Sequence, residues 1–108
     1  MLEQTFSVVY STAPNEKVAK SIAKTLVQEN LIGCANLLPQ VTSVYEWDGD
    51  VQTDPEVVMI MKTRTELVDA VMDRVNQLHP YEIPCLTSWE LTTGSTDYFN
   101  WIYNETER

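Results

Sequence analysis

The chain has 108 residues, 44% of them apolar, with sixteen acidic against seven basic residues and a formal charge of −9. That length is one domain's worth, taken as residues 1–108, and three Gly and five Pro argue against a low-complexity or disordered chain. The acidic balance argues against nucleic acid and anionic membranes as partners, since both need a clustered positive face, and no apolar run approaches the roughly 18 residues of a membrane span.

The start, Met1-Leu2-Glu3-Gln4, has neither a basic region nor an apolar stretch, so no signal peptide and a cytoplasmic setting are expected. TFSVVYST at 5–12 is β-branched and aromatic and reads as a strand. Pro14-Asn15 breaks it, and Asn15 is the N-cap expected for a helix running to about Asn30. Val18, Ala19, Ile22, Ala23 and Leu26 give that helix one apolar stripe, with Lys17, Lys20 and Lys24 on the wet side. Gly33 is the expected left-handed residue after its end.

CANLLPQVTSVYEW at 34–47 follows, and its second half alternates, with Val41, Ser43, Tyr45 and Trp47 on one face. Asp48-Gly49 is a two-residue hairpin signal, and the return strand reads as Asp50 to Thr53 and then Glu56 to Thr63, after Asp54-Pro55. In that register Pro55 faces Thr42 and Pro39 faces Val58, so a bulge or bend is expected across both strands. At roughly 3.3 Å per residue each arm reaches about 45 Å. A domain of this size has a radius of gyration of only about 13 Å. The tip with Tyr45, Trp47 and Val51 should therefore project beyond its own core and need another subunit to cover it.

Thr63 and Glu66 have capping-box spacing and open a second helix, whose apolar face is Leu67, Val68, Val71, Met72, Val75 and Leu78. It stops at His79, because the residue before a proline avoids the α region. CLTSWEL at 85–91 reads as a strand, Thr93-Gly94-Ser95 as a turn, and Thr96 to about Asn104 as a last helix carrying Tyr98, Trp101 and Ile102 on one side. The order is β-α-β-β-α-β with a C-terminal helix, an α+β, ferredoxin-like split βαβ arrangement. Helices on one face of its sheet leave the other face for a subunit contact.

The only histidine, His79, sits in HPYEIP at 79–84. Imidazole suits copper, zinc or another divalent cation, and Tyr81 and Glu82 are its only helpers within the motif; the other readings are that His79 caps the helix end or, with no nucleophile or paired carboxylate beside it to favour this, that it is a catalytic base. Cys34 and Cys85 lack metal-motif spacing and read as reduced thiols, core or soft-metal donors. Glu46, Asp48, Asp50 and Asp54 form either a solvated tip or a hard-cation cluster, without the spacing of a calcium loop. Tyr45, Trp47, Trp89 and Trp101 suit subunit packing or a ligand-stacking box. No phosphate loop, dinucleotide fingerprint or nucleophile elbow appears, and none of Arg64, Arg74 and Arg108 lies in the glycine-rich loop that an acylphosphatase-like reaction needs. Neither a catalytic residue nor a resident cofactor is expected.

Five stretches, VVYSTAPNEKVAKSIA, LIGCANLLPQVTSVYEWDG, EVVMIMKT, HPYEIP and DYFNWI, resemble in this order and spacing the CutA divalent-cation-tolerance proteins. The resemblance implies a homotrimer built through long β arms, a cytoplasmic setting in bacteria, tolerance of divalent metals, copper binding and no defined reaction. It places proposed copper ligands at a Cys in the first strand and at an adjacent His pair, which here are Ser11, Leu78 and His79, so only His79 keeps a ligand. The expected function is thus a trimeric, non-enzymatic protein of metal tolerance with weak metal binding. The alternative is a sensor like the nitrogen-regulatory PII trimers, binding a small effector between subunits.

Overall fold

The computed structural model describes residues 4–107; positions 1–3, on which the signal-peptide reading rests, and Arg108 lie outside them. The elements are β1 (Phe6–Ala13), α1 (Glu16–Gln28), β2 (Cys34–Trp47), β3 (Asp50–Arg64), a 3₁₀ turn (Thr65–Leu67), α2 (Val68–Leu78), β4 (Leu86–Leu91) and α3 (Thr96–Glu105). The four strands form one antiparallel sheet in the order β2-β3-β1-β4, the split βαβ topology. No helix among the described residues is long and apolar enough to cross a membrane.

Helix α1 starts where Asn15 accepts the Val18 amide at 2.9 Å. Its end differs from the sequence expectation, because the left-handed residue is Asn30 at φ 60. The Asn30 amide reaches the Val27 carbonyl and the Leu31 amide the Leu26 carbonyl, both at 3.0 Å, a Schellman closure that Asn tolerates. Gly33 has another reason to be small: a Cβ there would lie 3.3 Å from three atoms of Ile102, so its absence lets α3 close onto the chain.

Thr63 does not cap α2. It is buried in β3 opposite Ser7, and its hydroxyl donates to the Leu31 carbonyl at 2.6 Å, so β3 runs on to Arg64 and α2 follows the 3₁₀ turn without a side-chain cap. A buried hydroxyl takes the carbonyl it can reach, and that partner outweighs the cap.

The hairpin turn is as expected, with Asp48 at φ 57 and Gly49 at φ 86, the double left-handed geometry of a type I′ turn. Thr42 pairs with Pro55, but Leu38 rather than Pro39 pairs with Val58. Pro39 and Gln40 together stand against Val57, and Gln40 takes φ 64, so the expected irregularity is a bulge on β2 that slips the register by one. Strand β3 also passes unbroken through Asp54-Pro55. From Val57 toward the turn, β2 is its only neighbour among the described residues, so a proline on the open edge breaks no second ladder.

One face of the sheet carries Val9, Ala13, Val57, Met59 and Met61, packed with Ile22 and Leu26 of α1 and Val71 and Val75 of α2. Helix α3 lies on the other face, where Phe99 stacks on Phe6 with centroids 4.4 Å apart and the Arg64 guanidinium sits 4.8 Å over Tyr103 while holding the side chain and carbonyl of Thr106, both at 2.9 Å. The second face is therefore partly covered by the chain itself, a departure from the expected one-sided packing. The hairpin beyond the bulge has no such cover, and the molecule measures 51 × 26 × 22 Å with a radius of gyration of 14.7 Å.

Candidate functional site

Helix α2 ends at Leu78, and His79 turns extended at φ −80, ψ 139 ahead of Pro80, while its backbone N–H still closes on the Val75 carbonyl at 2.8 Å. The imidazole does not meet the helix's own carbonyls. It is buried, with Nε2 2.7 Å from the Thr12 carbonyl and Nδ1 3.1 Å from the Tyr81 amide. An amide only donates, so Nδ1 is bare and Nε2 carries the proton it gives to Thr12. Both ring nitrogens are engaged, and the ring ties the end of β1 to the HPYEIP loop. Of the two other inherited ligand positions, Leu78 packs against the core, and Ser11 is fully buried with no hydrogen-bond partner for its hydroxyl among the described residues.

The same loop builds a cleft of about 450 Å³ along the hairpin arm, from Glu56 beside the bulge to Trp47 beside the turn, with Thr12, Tyr45, Tyr81 and Cys85 among its walls. Glu56 is its buried charge, 8% exposed. Ser43 Oγ donates to one carboxylate oxygen at 2.6 Å and the Tyr81 hydroxyl to the other at 2.7 Å. Burial and then that bond to Glu56 hold the Tyr81 phenol well above its usual range. Tyr45 donates to Asp54 at 2.6 Å, which raises its phenol too. Burial, with the Glu56 charge behind it, pushes the Cys85 thiol up, so Cys85 stays protonated at neutral pH and is a poor soft-metal donor.

Cys34 belongs to a different place. Its sulfur is 3.1 Å from the Tyr98 hydroxyl on the α3 side of the sheet, where the Lys62 ammonium lies 5.5 Å from the Tyr98 ring centre. The aromatic residues likewise split up: Tyr45 and Trp47 wall the cleft, Trp89 tilts on Tyr10, and Trp101 stacks on Tyr98. Among the described residues no three His, Cys, Asp or Glu side chains converge to hold a metal ion, at the acidic hairpin tip or elsewhere. Sequence reasoning passed over Glu56. Its signal was a carboxylate opening the apolar run EVVMIM, where an unpaired charge has no reason to be buried.

A family model described as CutA1 divalent ion tolerance protein matches residues 7–105. Protein CutA of Mus musculus is 43% identical over 101 residues, covering 94% of this chain but 57% of its own length, so the chain spans little more than half of that relative. The divalent-cation tolerance protein CutA of Thermus thermophilus is 39% identical over 99 residues, covering 92% of this chain and 96% of its own. The crystal structure of the divalent ion tolerance protein CutA1 of Ehrlichia chaffeensis superposes with a TM-score of 0.94 at 28% identity, over 99% of this chain and all of that one.

Proposed function

The chain belongs to the CutA1 divalent ion tolerance family, and on that premise we propose that it acts in tolerance of divalent metal ions as a cytoplasmic, non-enzymatic homotrimer. The observation that carries the assembly is the hairpin arm, whose Val44, Tyr45, Trp47 and Val51 are all exposed in the single chain. A two-stranded ribbon is marginal in water by itself, so packing against a neighbouring copy gives these side chains their burial. Two free cysteines suit a reducing compartment.

Metal binding by this chain is proposed to be weak. Nδ1 of His79 holds only the Tyr81 amide and is the nitrogen that copper or another divalent cation would have to take over. Ligation there gives up that bond, and Ser11 and Leu78 supply no soft donor beside it. A copper titration of the wild type and His79→Gln, each checked for its circular dichroism spectrum, tests this. Lost affinity in a folded variant supports His79 as a ligand; equal affinity removes it. The cleft at Glu56 favours a second reading, effector binding in the manner of the PII trimers, because it pairs a formed cavity with a buried charge.

A further inference from the structure

We propose that the HPYEIP loop is a strut that aims the hairpin arm for assembly, a chain of hydrogen bonds from β1 through His79 and Tyr81 to Glu56 and Ser43 fixing the direction in which the arm leaves the body. The inference rests on the reading that copies of this chain assemble through their arms, and it names what prepares the arm within each copy. Glu56 stands where the arm leaves the sheet. Val57 is the last residue of β3 to pair with β1, and from Glu56 to the turn β3 pairs with β2 alone among the described residues. The bulge lies at the same level, since Leu38 faces Val58 and Val41 faces Glu56. A two-stranded ribbon is marginal by itself and a bulge bends it, so the ladder alone does not hold the arm in one direction here.

The hydrogen bonds cross that weak point. His79 Nε2 donates at 2.7 Å to the carbonyl of Thr12, next to the end of β1, and Nδ1 accepts the Tyr81 amide at 3.1 Å. The Tyr81 hydroxyl donates to one oxygen of Glu56 on β3 at 2.7 Å, and Ser43 Oγ of β2 to the other at 2.6 Å. The body strand, the loop and both strands of the arm are thereby joined. Within the loop, Pro80 and Pro84 fix their own φ, and the His79 and Tyr81 rings stand 4.6 Å apart, which stiffens it. Glu56 is 8% exposed, so water competes little for its bonds. An arm already held in one direction loses less freedom when it docks, and that saving appears as tighter association. None of these bonds depends on what faces Glu56 from another copy.

The test is the rate at which separated chains assemble. Chains unfolded in urea are diluted into buffer at concentrations where trimer formation, followed by light scattering, still speeds up with concentration; refolding of each chain is followed in parallel by circular dichroism. Tyr81→Phe and Glu56→Leu should each refold as the wild type does but assemble about ten-fold or more slowly, since an arm that points correctly about a tenth of the time lowers association by that factor. The two substitutions together should be no slower than Glu56→Leu alone, because both remove the same bond to the loop. Tyr81→Phe takes one hydroxyl from a part-exposed ring, so it decides the matter even where Glu56→Leu does not fold. A bond that served only stability would lower the urea midpoint and leave the assembly rate of folded chains unchanged. That result in a wild type that does form trimers, or a double variant slower than Glu56→Leu, overturns the strut alone. A wild type that never assembles overturns the assembly reading, and the strut with it.

Discussion

The long hairpin passes through two environments, and the same alternating chemistry meets opposite fates in them. In the body, Met59 and Met61 of β3 are fully buried under α1 and α2; beyond the bulge at Pro39-Gln40, Val44 is 67% and Val51 72% exposed on strands of equal regularity. The difference lies in the missing layer, since two strands alone have nothing to bury a face against. Under the proposed assembly, apolar content in the arm is information about a partner, while the same content in the body is information about the fold.

Mutations should separate the two regions. Met59→Ala, in the body, should cost about 2–5 kcal/mol in denaturant unfolding, because it opens a cavity under two helices; a loss below about 0.5 kcal/mol would mean that the body core is not where stability resides. At the far end of the arm, Gly49 has φ 86, and Gly49→Val should cost about 1–2 kcal/mol through left-handed strain, with no packing involved. Ser11→Ala should stabilise the body by roughly 1 kcal/mol, since the buried hydroxyl it removes has no partner among the described residues. A destabilised variant would show that the hydroxyl is satisfied after all.

The smallest expected effect concerns pH. Burial and the Cys34 bond push the Tyr98 phenol from 10.0 to about 12, so the folded state holds this proton more tightly than the unfolded one. Its contribution is complete below pH 10.0 and is lost as pH rises through about 12. Alkaline unfolding of Tyr98→Phe should accordingly be flatter across that window than in the wild type. Superimposable alkaline curves would remove Tyr98 from the balance.

Local chemistry that dominates its own neighbourhood was legible in the sequence. The Asn15 cap, the Asp48-Gly49 turn, the stop of α2 before Pro80 and the apolar stripe of α1 all stand where the residues put them. Long-range competition was not legible. Thr63 had capping-box spacing with Glu66 but found the Leu31 carbonyl, and Gly33 looked like a helix stop but serves the approach of Ile102. The bulge was expected from two prolines, yet which residue it absorbed, and so the pairing of Pro39, depended on Gln40 turning left-handed. At the candidate site, His79 was visible as the lone imidazole, but its partners Thr12 and Tyr81 belong to a tertiary contact. Glu56 was hidden for the same reason, because Ser43 lies thirteen and Tyr81 twenty-five positions away.

The central claim, that the arm exists to be covered by other copies, is tested most directly by sedimentation equilibrium at micromolar concentration on the wild type and on Val44→Asp with Val51→Asp. The account predicts three times the 12.4 kDa chain mass for the wild type, and a folded single chain for the double variant, whose substitutions sit on exposed arm positions away from the core. A wild type that sediments as one 12.4 kDa chain, or a double variant that stays trimeric, would contradict it.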